Sequence, residues 1–365
     1  MDLDASPRLL GLAALIALLP LSWVAWRTRG TGARGWLAAL SALTLFLTFD
    51  LVIFGSFTRL SDSGLGCPDW PGCYGQATPW GAGDHIAAAQ AAMPGGPVSF
   101  GKAWVEMVHR YLAMTVGALI VVLTASSWLF RRRLPHSPWW PTGTLLWVVV
   151  QGLFGKYTVT LKLYPAVVTA HLLGGLVLLA LLAVQYQAYR DRPLPMPRWL
   201  SGFAWMSLGL LACQIALGGW VSSNYAVLAC SGFPQCNGQW WPPMDFAHGF
   251  TLLRELGRAG HGGYLPFEAL VAIQMVHRLF AVLAAAALLL LAWAAWRVPA
   301  TRGFGIALLA LTLLQLASGL TNVVLGWPLA AALMHSAGAA ALVLVMTSML
   351  ARAALARQRR AAHGS

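Results

Sequence analysis

Four histidines, His109, His171, His277 and His335, lie inside long apolar stretches of a 365-residue chain. An ionisable side chain at membrane depth is costly and marks a functional site by default. Each sits on its own stretch, roughly 8–13 Å below the same end, at a rise of about 1.5 Å per residue. Two imidazoles facing one another across a bundle can take both axial positions of a haem iron. A single such histidine would more simply bond a neighbouring carbonyl, but two duplicated pairs favour haem. Zinc would need further ligands to converge, and the His-x-x-x-His or Glu-x-x-His pairs are incomplete. Arg110 and Arg278 directly follow two of the histidines. They could pair with haem propionates as rigid forks, or snorkel to the headgroups. His85, His136, His248, His261 and His363 fall in loops or the tail and read as solvated.

The cysteines form two further pairs, Cys67/Cys73 and Cys230/Cys236, in stretches outside the apolar runs. If those loops face an oxidising compartment, each pair closes a small disulfide loop. Cys213 lies within an apolar run and reads as a small buried residue.

The elements that must hold these residues are helices. Of the chain, 58% is hydrophobic and only 10% charged, with 24 basic and 11 acidic residues and a net charge of +13. Soluble domains carry roughly 25% charged residues. A soluble enzyme, a disordered protein and a nucleic-acid binder are therefore excluded. Nine candidate spans lie near 8–26, 36–57, 104–130, 141–160, 165–189, 199–222, 268–296, 302–326 and 328–351. The first reads as a span or signal-anchor; its acidic start and the lack of an Ala-x-Ala-type site argue against a cleaved signal peptide. Arg27, Arg29, Arg34, Arg131, Arg132, Arg133, Arg190, Arg192, Arg198, Arg297, Arg302, Arg352, Arg357, Arg359 and Arg360 fall on one face. Arg8, Arg59, Lys102, Lys162, Arg254 and Arg258 fall on the other. The first face is cytoplasmic by the positive-inside rule. The amino terminus and the loops 58–103 and 223–267 then face outward, and the carboxyl terminus faces the cytoplasm.

An internal duplication organises the spans. Glu106-Met-Val-His109-Arg110 recurs as Gln274-Met-Val-His277-Arg278, 168 residues later. Cys67/Cys73 recur as Cys230/Cys236 at an offset of 163; Gln151-x-x-x-Gly155 recurs as Gln315-x-x-x-Gly319 and His171 as His335, both at 164. Four spans per unit make parallel repeats. The expected architecture is an all-α polytopic membrane protein of two tandem four-helix bundles plus one extra amino-terminal helix. Its segments are 1–35 (extra helix and linker), 36–190 and 191–351 (the repeats) and 352–365 (a basic cytoplasmic tail). Glu106 stands opposite Gln274 and Asp50 opposite Cys213, so both acids are in the amino-terminal half. Glu106 is the leading proton-handling residue; Asp50 reads more simply as making a structural hydrogen bond.

At Thr58-Arg59-Leu60-Ser61-Asp62-Ser63-Gly64-Leu65-Gly66-Cys67-Pro68-Asp69-Trp70-Pro71, Glu106-Met107-Val108-His109-Arg110, Thr169-Ala170-His171, Gln274-Met275-Val276-His277-Arg278 and Met334-His335-Ser336, the sequence resembles the haem A synthase family. The resemblance covers about 36–351. It implies an enzyme of the bacterial inner membrane that oxidises a methyl group of haem O to a formyl group through hydroxylated intermediates. It implies that His109 and His171 flank the substrate haem O, that Glu106 is catalytic, and that His277 and His335 ligate a haem B cofactor. It also implies disulfides in the outer loops, Cys67–Cys73 and Cys230–Cys236. The partners expected with it are the lipid bilayer, an electron acceptor the sequence does not name, haem O synthase (the farnesyltransferase), cytochrome oxidase assembly factors and a second copy of the chain; no nucleic acid is expected. The extra amino-terminal helix departs from the family pattern, and nothing in the sequence ties it to the chemistry. Two competing readings are a di-haem b-type cytochrome exchanging electrons with quinone, and a transporter or haem-delivery protein. Both accommodate four histidines, but the cytochrome does not account for acids in one half only.

Overall fold

With no water inside a bilayer to bond exposed amides and carbonyls, an apolar chain crosses it as helices whose backbone bonds are internal. The structure, a computed structural model, describes residues 5–134, 136–260 and 263–363. His261 and the side chain of His363 lie outside the described residues.

The helices are α1 (Ala5–Arg27), α2 (Gly32–Leu60), α3 (Gly83–Ala92), α4 (Phe100–Leu129), α5 (Trp139–Thr160), α6 (Pro165–Arg190), α7 (Arg198–Ser223), α8 (Phe246–Gly249), α9 (Phe267–Arg297), α10 (Arg302–Val324) and α11 (Leu329–His363). Among the described residues there are only isolated β-bridges outside the helices. Eight helices, all but α3, α5 and α8, are long and apolar enough to cross a membrane. The sequence suggested nine. The difference is α5, which is long enough at 22 residues but carries Thr144, Gln151 and Lys156 among its apolar residues. Two of its polar side chains turn inward: Thr144 and Gln151 are buried, and Gln185 Nε2 donates to Thr144 Oγ1 at 2.5 Å. Its outward side chains include Leu146, Val149 and Leu153.

The chain divides into two units, Met1–Lys162 with Val177–Arg190, and Leu163–Leu176 with Asp191–Ser365. In the first, α4 is the hub. It packs against α1, α2 and α5, and its Leu119, Ile120 and Leu123 are fully buried. In the second, α9 packs against α7 and α10, and α10 also packs against α11. Gly305 makes the α9–α10 approach possible, since a β-carbon there would stand 2.5 Å from Trp296 N and 2.7 Å from Ala292 O.

The helix outside the duplicated region is an integral part of the first unit. Leu9, Ala13, Ala17 and Val24 of α1 are buried along one stripe, and Leu9 joins a cluster with Cys67, Cys73, Ile86, Ala103 and Met107. Cys213, expected to be buried, is exposed on α7. Leu211, Ile215 and Gly219 take the inward side of that helix. Residue 213 therefore falls on the opposite side, where a small apolar thiol suits lipid.

Loop histidines also find partners. Asp245 caps α8 by accepting from the His248 backbone N–H at 3.0 Å, and its carboxylate meets His248 Nδ1 at 2.5 Å. The backbone bond, then the ring, holds the Asp245 carboxyl below its usual range. His136 stands edge-on to Tyr189, and His85 stacks on Tyr74.

Replacing Gly305 with Ala should force α9 and α10 apart and cost about 1–3 kcal/mol. Gly303→Ala, with open space around it, should be neutral or stabilising. Thermal unfolding of the two variants in detergent measures the contrast.

Candidate functional site

Each unit carries a disulfide loop outside its helices. Cys67 is bonded to Cys73 and Cys230 to Cys236. Both loops turn through a two-residue hairpin. Cys73 and Gln76 exchange backbone bonds of 2.9 Å, and Cys236 and Gln239 exchange bonds of 2.9 and 3.0 Å. The central residues, Tyr74-Gly75 and Asn237-Gly238, all have positive φ, the conformation for which Asn-Gly is suited. Each loop also contains a cis X-Pro bond, Trp70-Pro71 and Phe233-Pro234.

The arginine after the first histidine of each unit reaches up to that loop. Arg110 donates from Nη1 to the carbonyls of Asp69 (2.8 Å), Pro71 (3.2 Å) and Gly72. Arg278 donates to the carbonyls of Gly232 (3.1 Å), Gln235 (3.3 Å) and Cys230 (3.2 Å). Propionate pairing, the role expected of these arginines, is left to whatever donor capacity the loop does not use.

The units differ at the acid. Glu106 is buried, ion-paired to Arg110 Nη2 through Oε1, and accepts from the Cys67 backbone N–H through Oε2 at 2.8 Å. Gln274, at the matching place, is buried with Oε1 lacking a hydrogen-bond partner. Asp50 is half-buried on α2, and no hydrogen bond or ion pair reaches it among the described residues; the structural bond expected of it is not found.

The membrane histidines sit where helices come unusually close. A β-carbon at Gly55 would stand 3.0 Å from His109 Cε1; one at Gly218 would stand 3.1 Å from His277 Cε1, and one at Gly319 3.1 Å from His335 Cε1. These three glycines let a neighbouring helix lie against the imidazole. Phe54 also stacks on His109, with ring centroids 6.3 Å apart. Gln214 Nε2 lies 3.1 Å from His277 Nδ1, and Ser318 Oγ lies 3.1 Å from His335 Nδ1. His171 Nδ1 is buried without a hydrogen-bond partner. The spacing of the histidines did not disclose the glycines or these polar neighbours, although Gly55/Gly218 recur at the same 163 offset as the cysteines.

The COX15-CtaA family model, described as "Cytochrome oxidase assembly protein", matches residues 38–347. The chain belongs to this family. It is similar to a protein of Shewanella oneidensis named "Heme A synthase", with 38% identity over 315 residues, covering 85% of this chain and 94% of that one. Proteins of the same name from Caulobacter vibrioides (29% over 338 residues, 86% and 93%) and Maricaulis maris (27% over 354 residues, 91% and 98%) are also similar. The family match begins after α1, so α1 is an addition to the matched region.

Arg278→Met should remove the donors that hold the second loop while keeping the side chain's bulk. Charged hydrogen bonds carry roughly 1.5–3 kcal/mol each. Reduction of Cys230–Cys236 by dithiothreitol should therefore quicken about tenfold or more, with Cys67–Cys73 unchanged. Timed alkylation with a mass tag reads both bonds in one sample.

Proposed function

We propose that the chain is a haem A synthase that oxidises a methyl group of haem O to a formyl group. Membership of the family and relatives of that name over most of the chain support the reading. One structural observation carries it to particular residues: the two units share the disulfide loop, the arginine clamp and the glycine-backed histidine, but only the first has an acid, Glu106, in that framework. A site that only carries electrons needs no such acid, whereas methyl oxidation releases protons.

In this reading His109 and His171 would hold the substrate haem, and His277 and His335 would hold a resident haem B. The fit rests on the side chains themselves. Two half-buried imidazoles are each backed by a glycine that a β-carbon would crowd; Ser318 Oγ lies at His335 Nδ1, and Gln214 Nε2 lies 3.1 Å from His277 Nδ1 and 3.5 Å from its Nε2, so a polar group stands at each ring. Haem B, when bound, supplies one-electron redox chemistry.

Glu106 handles the proton. Each methyl C–H bond broken releases a proton, and Glu106 is the acid in the helix turn preceding His109. When the carboxylate takes up that proton, Arg110 loses its ion pair but keeps its three loop carbonyls. The Cys67 N–H bond fixes Oε2 in place, so the disulfide loop orients the acid as well as covering it.

The proposed orientation places the amino terminus and both disulfide loops outside the bacterial inner membrane and the carboxyl terminus in the cytoplasm, as the arginine distribution implies. The electron acceptor, haem O synthase, oxidase assembly factors and a second copy of the chain are the proposed partners. The di-haem cytochrome reading is not favoured, since the relatives carry the synthase name.

Glu106→Gln copies the residue of the second unit, where Arg278 already stands on loop carbonyls beside Gln274. The variant should keep its low-spin haem spectrum while haem A formation falls at least 100-fold, given the roughly 10²–10⁴-fold that proton transfer contributes. Haem O or a hydroxylated intermediate should accumulate, read by porphyrin extraction and chromatography. Haem A output at the wild-type level would make Glu106 structural. His277→Ala and His335→Ala should each abolish the low-spin signal.

A further inference from the structure

Arg110 and Arg278 each spend their donors on three loop carbonyls, and a third arginine does not. Arg254, in the segment between α8 and α9, is only 3% exposed. Its Nη2 donates to Asn224 Oδ1 at 2.5 Å, and its Nη1 makes a long contact of 3.4 Å with Arg258 O. Its Nε is buried with no hydrogen-bond partner. Two of the five guanidinium donors are thereby engaged. Among the described residues the ion pairs join Arg59, Arg110, His248 and Arg359 to acids, and Arg254 to none. A guanidinium taken out of water without a carboxylate is costly, and burial lowers the Arg254 pKa.

The surroundings of Arg254 are fixed by their own bonds. Its Cζ stands 5.7 Å from the centroid of the Trp220 ring, a cation–π distance. Trp220 Nε1–H donates to Gly249 O at 2.9 Å. A β-carbon at Gly249 would stand 2.9 Å from Ala269 O, so α8 lies directly on α9. Asn224 Nδ2 donates to Trp220 O at 2.9 Å, which leaves Oδ1 for the arginine. Trp220 also packs with Ile273, Leu270 and Ala166. Ile273 and Leu270 precede His277 by one and two turns on the same face of α9, roughly 6 and 10 Å along the axis. Ala166 belongs to α6, the helix of His171. The 163 register that lays Gly55 on Gly218 lays Phe57 on Trp220 and Ser61 on Asn224. At these positions the indole N–H and the carboxamide belong to the second unit alone.

We propose that Arg254 is a binding residue for a porphyrin carboxylate, the propionate of a haem. The chemistry of the ligand follows from the site. A planar fork held over an aromatic face, with Nε unengaged, matches a planar carboxylate. The rise from His277 to Leu270 is of the order of the reach from a haem iron to its propionates. The role that Arg110 and Arg278 give up to the disulfide loops falls in this way to an arginine outside the duplicated motifs. His277 on α9 and His171 on α6 both stand below this cluster, and resident and substrate haem both carry propionates. The shared chemistry is the carboxylate, and the experiment separates its two sources. This inference rests on the haem reading of those histidines.

The test uses the full-length protein purified in detergent and equilibrated with equal amounts of haem B and its dimethyl ester, in which both carboxylates are capped. The ratio of the two porphyrins retained, read by extraction and chromatography, needs no turnover. The wild type should favour the free acid about 10–100-fold, and Arg254→Met should lose most of that preference. Arg254→Gln, which still offers a donor to Asn224, should lose it too and carries the test where the methionine variant does not fold. Two further measurements on the variants identify the source. Haem transfer to excess apomyoglobin quickened about 10–100-fold, with an unchanged KM for haem O, assigns the carboxylate to the resident haem. A KM raised by that factor, with transfer still slow, assigns it to the substrate. The proposal is overturned if the variants keep the wild-type preference, which a merely structural arginine would leave unmoved, or if the wild type does not discriminate. A wild-type protein that retains neither porphyrin overturns the haem reading itself, so the two failures are distinguishable.

Discussion

A charged guanidinium carried on a membrane helix must find acceptors for its donors, and the arrangement of both units follows from how Arg110 and Arg278 do so. Each reaches the carbonyls of a seven-residue disulfide loop. That loop is ready to receive it because the disulfide and the hairpin turn have already aimed its carbonyls inward. The histidine one residue before each arginine is thereby set at a fixed depth below a fixed lid. In the first unit the Arg110–Glu106 ion pair extends the same network to an acid. Removing Arg110 would strand the buried Glu106 carboxylate, whereas Arg110 without Glu106 keeps its three loop carbonyls.

The chemistry-bearing residues were legible in the sequence because the membrane makes them expensive. Four histidines, an acid and two cysteine pairs stand out against an apolar background, and their recurrence at nearly one offset made them a set. The spans were legible for the same reason, apart from α5, whose inward-facing threonine and glutamine dilute its apolar content. The residues that position the site are not legible in the sequence. Gly55, Gly218 and Gly319 matter through the side chain they lack, and one glycine in an apolar run resembles any other until its neighbour is known. Gln214 and Ser318 sit on different helices from the histidines they face, so only the fold brings them together. The Asn237-Gly238 pair is itself a hairpin signal in the sequence. Cys213 fell on the wrong side because hydropathy is uniform around α7 and gives no phase.

The two units also illustrate how little must change to alter a role. Between them the loop, the clamp and the glycine contact persist, while Glu106 becomes Gln274 and Leu51 becomes Gln214. These are replacements of similar size.

The stripe of Leu9, Ala13, Ala17 and Val24 that holds α1 in the first unit has a consequence for how that helix is retained. Acyl chains are as apolar as leucine, so they compete on equal terms for the surface that α1 covers, and no hydrophobic force favours the helix over lipid. What favours α1 is shape. Two alanines let the backbones approach, and the gain is close dispersion contact that mobile chains cannot match. The attachment is therefore sensitive to bilayer order and thickness in a way that a water-driven contact is not. Because Leu9 shares a cluster with the first disulfide loop and with Met107 of α4, lipid that displaced α1 would uncover the residue next to Glu106 in the chain.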